Sequence, residues 1–472
     1  MNLLLNQFNS VVGLVGTIVI VPFVLFLLCM ISGVGLEKSF RSALLCAVGL
    51  QGFRFVINAY IVLIAPFIQK MSESGGLKAV CLDTGWQSVS VIAFSTTIGI
   101  IFMVVALIIQ LVLFVIKWTD VFMASDLWNN YSFIVWGSML YFITNNFVIA
   151  MICMIIQLLY ILLFSEVLAK RWSNYYQCPN CCMTAPHHLE AVPYAIIMNW
   201  ILSKLGMNKL KIDAKKVQSK LAFVSEPMHV GLIVGLIIGI LCNTSSINTV
   251  DAWKSILLIA ISTATMMGVF PKVGSIFASS FTYLTETIRN KMIKFGENRE
   301  WYLAVNDGAG FGETNTLATG MILIPIMIVL SFILPGNIMI PIADLCALPY
   351  MVEVFICVSH GNIPKSIVMG AIWFSLGLII CSNFAPTFTE VARSIGFEIP
   401  GTATFIMSFG IMAHPFIAGI FFVAWKGGIV GLAIILAVYL VLYFVFKKNR
   451  QSIYAWLETN TGEIKEEQND QT

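Results

Sequence analysis

The chain has 472 residues, 58% of them hydrophobic and 11% charged, with a mean hydropathy of +0.89 and a formal net charge of +3. A soluble domain carries about a quarter charged residues. Disordered, collagen-like, disulfide-scaffold and ordinary cytosolic-enzyme classes are therefore excluded, the weak basicity points to no nucleic acid, and the composition defines an all-α polytopic membrane protein.

Taken in chain order, apolar runs occur near 11–33, 42–68, 91–117, 133–165, 229–248, 254–270, 317–334, 337–358, 366–385, 402–424 and 427–446. A crossing takes about 20 mostly apolar residues, so the runs predict ten or eleven crossings. The shorter piece at 192–203 predicts a re-entrant or interfacial helix. The start MNLLLNQFNS contains no Lys or Arg, unlike a cleaved signal peptide, so the first run is expected to remain. Lys and Arg concentrate in 168–220, in 272–300 and at Lys447, Lys448 and Arg450. The positive-inside rule places these segments in the cytoplasm, with the N-terminus outside and the C-terminus inside. Strict alternation would leave 168–220 outside. Either a crossing before 168 and another after it are miscounted, or some runs are re-entrant. Residues 1–446 read as a single transmembrane domain and 447–472 as a polar cytoplasmic tail.

Polar residues that interrupt the runs are the informative ones, because non-helical backbone at membrane depth is tolerated only where it lines a cavity or is buried in protein. The first break is Cys81-Leu-Asp83-Thr84-Gly85-Trp86. Asp83 either accepts hydrogen bonds from solute hydroxyls or, with Thr84, caps the next helix, and Gly85 permits close backbone approach. In the second, Asp126–Gly137, Trp128 reads best as part of an interfacial aromatic belt. Ser132 and Trp136, four apart on one helical face, are better pocket candidates. The third holds His187, His188 and Glu190 after Pro186. The neighbouring Cys178–Cys182 cluster has no second CxxC and no ligand-spaced His pair, so loop thiols are preferred over zinc and no metal is assigned. The fourth places Glu226 at the mouth of a run, as a helix N-terminal carboxylate or a solute contact. The fifth brings Asn306, Asp307 and Glu313 together with a glycine-rich stretch. Its GAGFG lacks a βαβ context and is no nucleotide fingerprint; carboxylates beside unwound backbone read as a solute or ion site. Arg54, inside the run 42–68, needs a partner such as Asp83, Asp307 or the solute.

Together these segments resemble the membrane-embedded IIC component of galactitol-type sugar phosphotransferase systems, related to ascorbate-type IIC proteins. The resemblance spans roughly 10–445. It rests on LDTGW (82–86), DLWN (126–129), APHHLEAVPYA (185–195), KLGMNKLKIDAKKVQSK (204–220), SEPMHVGLIVGLIIGIL (225–241), LIPIMIVLSFILPGNIMIPIADL (323–345) and SHGN (359–362). It implies a homodimer with core and scaffold domains, a polyol or sugar carried by elevator-like movement of the core, and cytoplasmic partners IIB and IIA fed from phosphoenolpyruvate through enzyme I and HPr. It implies no cofactor and no phosphoryl-carrying residue on this chain. By similarity the pocket holds Asp83, Thr84, Gly85, Ser132, Trp136, His187, His188, Asn306 and Asp307. Relatives tend to have His where this chain has Ser132, and Asp where it has Asn306; these departures are compatible with a different polyol or pentose-like solute. The competing expectation is a cation- or proton-coupled polyol permease working through Asp307, Glu313 and Arg54.

Overall fold

The computed structural model describes residues 17–74, 81–221, 226–296, 299–305, 308–311, 313–397, 399 and 404–459. Asn306 and Asp307 lie outside the described residues, as does the side chain of Arg54. Six helices among the described residues are long and apolar enough to cross a membrane: Thr97–Val115, Phe147–Tyr175, Val250–Ser279, Thr314–Ile333, Ile363–Ser394 and Pro415–Thr459. Shorter apolar helices occupy Ile18–Ile31, Pro227–Ile240 and Leu348–Val358.

The chain opens with α1 (Thr17–Ile31) and α2 (Leu36–Ser74). A first half then runs β1 (Cys81–Asp83), α3 (Gly85–Ser95), α4 (Thr97–Val115), β2 (Val121–Phe122), a 3₁₀ segment over Met123–Asn130, α5 (Tyr131–Thr144), α6 (Phe147–Tyr175), β3 (Cys181–Met183), α7 (Pro186–Leu189) and α8 (Val192–Lys204). Between the halves lie α9 (Ala214–Leu221), α10 (Pro227–Cys242), α11 (Val250–Ser279) and α12 (Thr282–Gly296). The second half repeats the first in order: β4 (Tyr302–Val305), α13 (Gly308–Phe311), α14 (Thr314–Ile333), β5 (Met339–Ile340), α15 (Leu348–Met351), α16 (Glu353–Val358), α17 (Ile363–Ser394), β6 (Phe405–Met407), α18 (Phe409–Met412) and α19 (Pro415–Thr459).

The halves interlock. β1 of the first half is the central strand of a parallel sheet, β5-β1-β6, whose outer strands come from the second half. β4 of the second half is central in the sheet β2-β4-β3, whose outer strands come from the first. Cys81, Leu82 and Asp83 pair with Phe405, Ile406 and Met407, while Cys181, Cys182 and Met183 pair with Leu303, Ala304 and Val305. Each sheet lets strands two to four residues long satisfy their backbone groups on one another.

Several apolar runs hide breaks. The run 133–165 divides between α5 and α6, because Asn145 takes a left-handed conformation (φ 50) and Asn146 accepts from Ile149 N at 3.1 Å as the next N-cap. Asparagine suits both places. The run 337–358 is not one helix but β5, a loop, α15 and α16. The run 402–424 contains β6, α18 and the start of α19, and α19 is itself interrupted at Gly428 (φ 54, ψ −136) and again at Asn449 (φ −111, ψ 15). The short piece 192–203 is α8, half-buried with Ile197 and Trp200 exposed.

α1, α2, α10 and α11 pack against one another. The α10–α11 contact is a small-residue seam: a Cβ added at Gly231, Gly235 or Gly239 would lie 2.7, 2.5 or 2.9 Å from the Cα of Ala264, Ala260 or Ile256. Such a G-x-x-x-G spacing lets two backbones approach where lipid gives no hydrophobic drive. Trp128 corrects the belt reading. It is 7% exposed and packs in an aromatic cluster with Trp86, Phe94, Tyr131, Phe277 and Phe281.

Candidate functional site

Four of the five polar breaks sit at the carboxyl ends of strands. At the end of β1, Gly85 adopts φ +79, a left-handed turn that favours glycine and starts α3. The turn folds Asp83 back so that its Oδ1 accepts from Gly85 N (3.1 Å) and Phe409 N (3.4 Å). Oδ2 accepts from Ile342 N and Asp344 N, both at 2.9 Å. Asp83 therefore gathers the ends of all three strands of its sheet. Thr84 Oγ1 donates to Met407 O (3.1 Å) and accepts from Ser88 Oγ (2.6 Å), so Thr84 belongs to the same knot and does not side-chain-cap α3.

Asp344, which the sequence reading passed over, completes the knot. It is fully buried; its Oδ1 accepts from Trp86 N (2.8 Å), and its Oδ2 from Ser408 Oγ (2.5 Å) and Gly410 N (2.8 Å). The other sheet repeats the device. Asp126, beyond β2, accepts through Oδ2 from Thr184 Oγ1 (3.0 Å), just beyond β3, and from Asn129 Nδ2 (2.7 Å). Thr184 follows Met183 as Ser408 follows Met407. The paired repeats thus preserve a carboxylate–hydroxyl tie between outer strands.

Histidines lie at the next layer. Ser132 Oγ meets His187 Nδ1 at 3.1 Å, tying the start of α5 to α7. The rings of His187 and His188 stand edge to face with centroids 4.3 Å apart, and His414 lies 6.1 Å from His187. His414 bridges the halves: Nε2 donates to Gly410 O (3.0 Å), and Nδ1 faces Glu190 Oε1 (3.0 Å). A carbonyl only accepts, so Nε2 carries a proton. A second proton lies between Nδ1 and Glu190 when that contact is a hydrogen bond. Glu190 Oε2 also accepts from Ile417 N (2.8 Å). Asp83, Thr84, Ser132, His187, His188, Glu190, Asp344 and His414 are all buried, so the polar centre is closed to solvent.

The fifth break enters from β4. Asn306 and Asp307, which directly follow that strand, lie outside the described residues. Around them, Gly310 comes so close to Glu353 that an added Cβ would lie 2.5 Å from its carboxylate, which places the buried Glu353 against this loop. Glu313 caps α14, accepting from Asn315 N (2.9 Å), Thr316 N and Thr316 Oγ1 (both 2.8 Å).

Other expected residues stand apart. Trp136 is buried against Phe384 and Phe421, at 5.2 and 5.4 Å between centroids, in an aromatic layer beside α17 and α19. Glu226 is exposed at the start of α10 and makes no side-chain cap. In the cysteine cluster, burial first and then Cys178 push the Cys181 thiol up to about 12. Ser165 Oγ donates to Met183 O (2.7 Å) and meets Cys182 Sγ at 3.5 Å, so these residues form a strand anchor.

A helical protein with six helices among its described residues long and apolar enough to cross a membrane, two interlocked repeats and a closed polar centre has the broken-helix architecture of transporters. The family of PTS system sugar-specific permease components of the EIIC-GAT type matches residues 11–403, and the chain belongs to it. Among its relatives, a provisionally named permease IIC component of Escherichia coli (strain K12) is 26% identical over 406 residues, covering 86% of this chain and 91% of the relative. The galactitol-specific EIIC components of the phosphotransferase systems of Escherichia coli (strain K12) and Escherichia coli O157:H7 are each 26% identical over 385 residues, covering 81% of this chain and 83% of theirs. Cooperation with IIB and IIA proteins and a sugar-type substrate follow from membership.

Proposed function

We propose that the chain binds a galactitol-like polyol at the meeting point of its two repeats, carries it across the membrane and presents it to a separate IIB protein for phosphorylation. The observation that carries this reading is the convergence of Ser132, His187, His188, Glu190 and His414 from both halves into one buried polar cluster beside the Asp83–Asp344 knot. A many-hydroxyl solute needs convergent donors and acceptors in a dry pocket. Asp307 and Asn306, following β4, are assigned to the same pocket together with Glu353. Asp83 and Thr84 position its walls, since their oxygens are already engaged by backbone.

The interlocked repeats, with α1, α2, α10 and α11 packed mainly on one another, support a moving core and a fixed scaffold. α1, α2, α10 and α11 form the scaffold, held by the glycine seam and by a second copy in a homodimer, and the interlocked repeats slide against it as an elevator. The hairpin at Asn145–Asn146 adds the crossing that the charge bias demands. β3, α7 and α8 enter and leave on one side, so Lys170 and Lys204 both face the cytoplasm. The N-terminus then lies outside and the C-terminus inside.

The test is solute binding to His187→Ala and Asp307→Asn in purified, membrane-inserted protein. Both are expected to weaken galactitol binding by about tenfold or more, the loss of one or two buried hydrogen bonds, without loss of insertion. Wild-type affinity in both would put the pocket elsewhere.

A further inference from the structure

The last described turn of α19 is docked, not free. Arg171 Nη1 pairs with Glu458 Oε2 at 2.9 Å, and Asn174 Nδ2 donates to Glu458 Oε1 at 2.8 Å. His360 Nε2 donates to Leu457 O at 2.9 Å. Arg171 also donates through Nε to Cys357 O, so the helix end is fastened to the turn between α16 and α17. His360 is at the same time a wall of a surface cleft of about 160 Å³ that runs between residues 208–212 and residues 359–364. Among the described residues, no acidic side chain lines this cleft. Leu210 and Ile212, which do line it, are 53% and 40% exposed. Lys211 lines it, and Lys204, Lys209, Lys215 and Lys216 are exposed in the same stretch of chain, with Asp213 as the single acid between them.

The chain continues from Thr459 with NTGEIKEEQNDQT. Glu463, Glu466, Glu467 and Asp470 face one base, Lys465, and Ile464 is the one large aliphatic residue. The charge is opposite to that of the cleft edge, and Ile464 matches its uncovered Leu210 and Ile212. Reach is no obstacle. Leu457 already touches a cleft residue, and thirteen further residues span up to about 40 Å when extended.

We propose that residues 460–472 fold back into this cleft as an acidic occupant of their own chain, covering the basic cytoplasmic surface that the carrier protein needs. The cleft is then an autoinhibitory site that the carrier opens by competition. This second part rests on the phosphotransferase reading above; the docking of the tail does not. Exposed charges are each weak and are screened by salt, so the contact is set by several lysines together and is displaceable.

The experiment places a photo-crosslinking benzoylphenylalanine at Gln468 of the full chain in lipid nanodiscs. Adducts within the same chain are expected on 208–212 or 359–364. Their yield should fall about fivefold in the Lys209→Glu/Lys211→Glu variant, corresponding to a few lost exposed pairs, and also at high salt. Adducts on other segments or on a neighbouring copy, or yields indifferent to charge and salt, overturn the docking. In the reconstituted phosphorylation assay, ending the chain at Thr459 should lower the IIB concentration for half-maximal rate by about fivefold. An unchanged concentration overturns the competition. Absence of any phosphorylation would reject the phosphotransferase reading while the crosslink still reports on the tail.

Discussion

Asp344 shows how one side chain governs the geometry of the closed centre. It accepts from two backbone N–H groups and the Ser408 hydroxyl, and its carboxyl also faces that of Asp83. Both of its oxygens accept, so an amide at this position would lose at least one of these bonds in a place water does not reach. Asp344→Asn is therefore expected to destabilise the protein by about 2–3 kcal/mol, and Ser408→Ala by about 1 kcal/mol, read as lowered unfolding temperatures in detergent. Unaltered thermal stability in Asp344→Asn would show that the knot does not hold the strands. Outside the spans, burial first and Arg171 next push His360 down from 6.5 to about 4. The folded chain thus keeps His360 neutral where the unfolded chain takes up a proton. Its contribution is complete above about pH 6.5 and is lost as pH falls toward 4. His360→Gln cannot titrate, so its stability should fall less steeply than wild type over that window; parallel pH profiles would contradict the assignment. Of these residues, Asp83 and the His187–His188 pair were legible because each sits in a conspicuous polar break. Asp344 was not, since it lies in an apolar stretch that reads as a crossing. Ser408 and His414 were silent too: a single polar residue in an apolar run carries no pattern.

At the scale of elements, composition announces helices and conceals what interrupts them. Strands of two to four residues are too short for an alternating pattern to register, and β5 and β6 lie inside runs as apolar as any helix. The Asn145–Asn146 hairpin lies inside the single run 133–165, so it blurs the number of crossings, whereas the Gly428 break falls beside the gap between the runs 402–424 and 427–446. The α10–α11 seam rests on glycines four apart in α10 that the apolar runs do not single out. Gly235→Leu is expected to separate the pair. The added Cβ alone would lie 2.5 Å from Ala260 Cα, and overpacking of this kind costs about 1–3 kcal/mol or more. Gly419→Ala, in a helix with nothing within 4 Å, should be neutral or slightly stabilising, by up to about 1 kcal/mol. Equal thermal unfolding of the two variants would show that the seam is not a tight contact.

At the scale of the molecule, the interlock makes the two repeats one mechanical unit, because neither sheet exists without strands from both. The long-range order is reinforced at the far end of α19. There Lys447 and Arg450 meet Glu166 (2.5 Å) and Asp120 (2.5 Å), and Arg299 approaches Asp120 at 3.6 Å. This network ties the C-terminal helix to α6 and to the chain entering β2 and β4. A unit held this way can move as a body around a solute that touches both halves, and a solute released into the cytoplasm returns unless it is made too polar to do so. The most direct measurement supplies purified chain in vesicles with IIB, IIA, enzyme I, HPr and phosphoenolpyruvate on its cytoplasmic face and labelled galactitol on the other. The account predicts that label arrives only as the phosphate ester and only when IIB is present. Accumulation of unmodified galactitol that is indifferent to IIB, and abolished by an uncoupler, would contradict it.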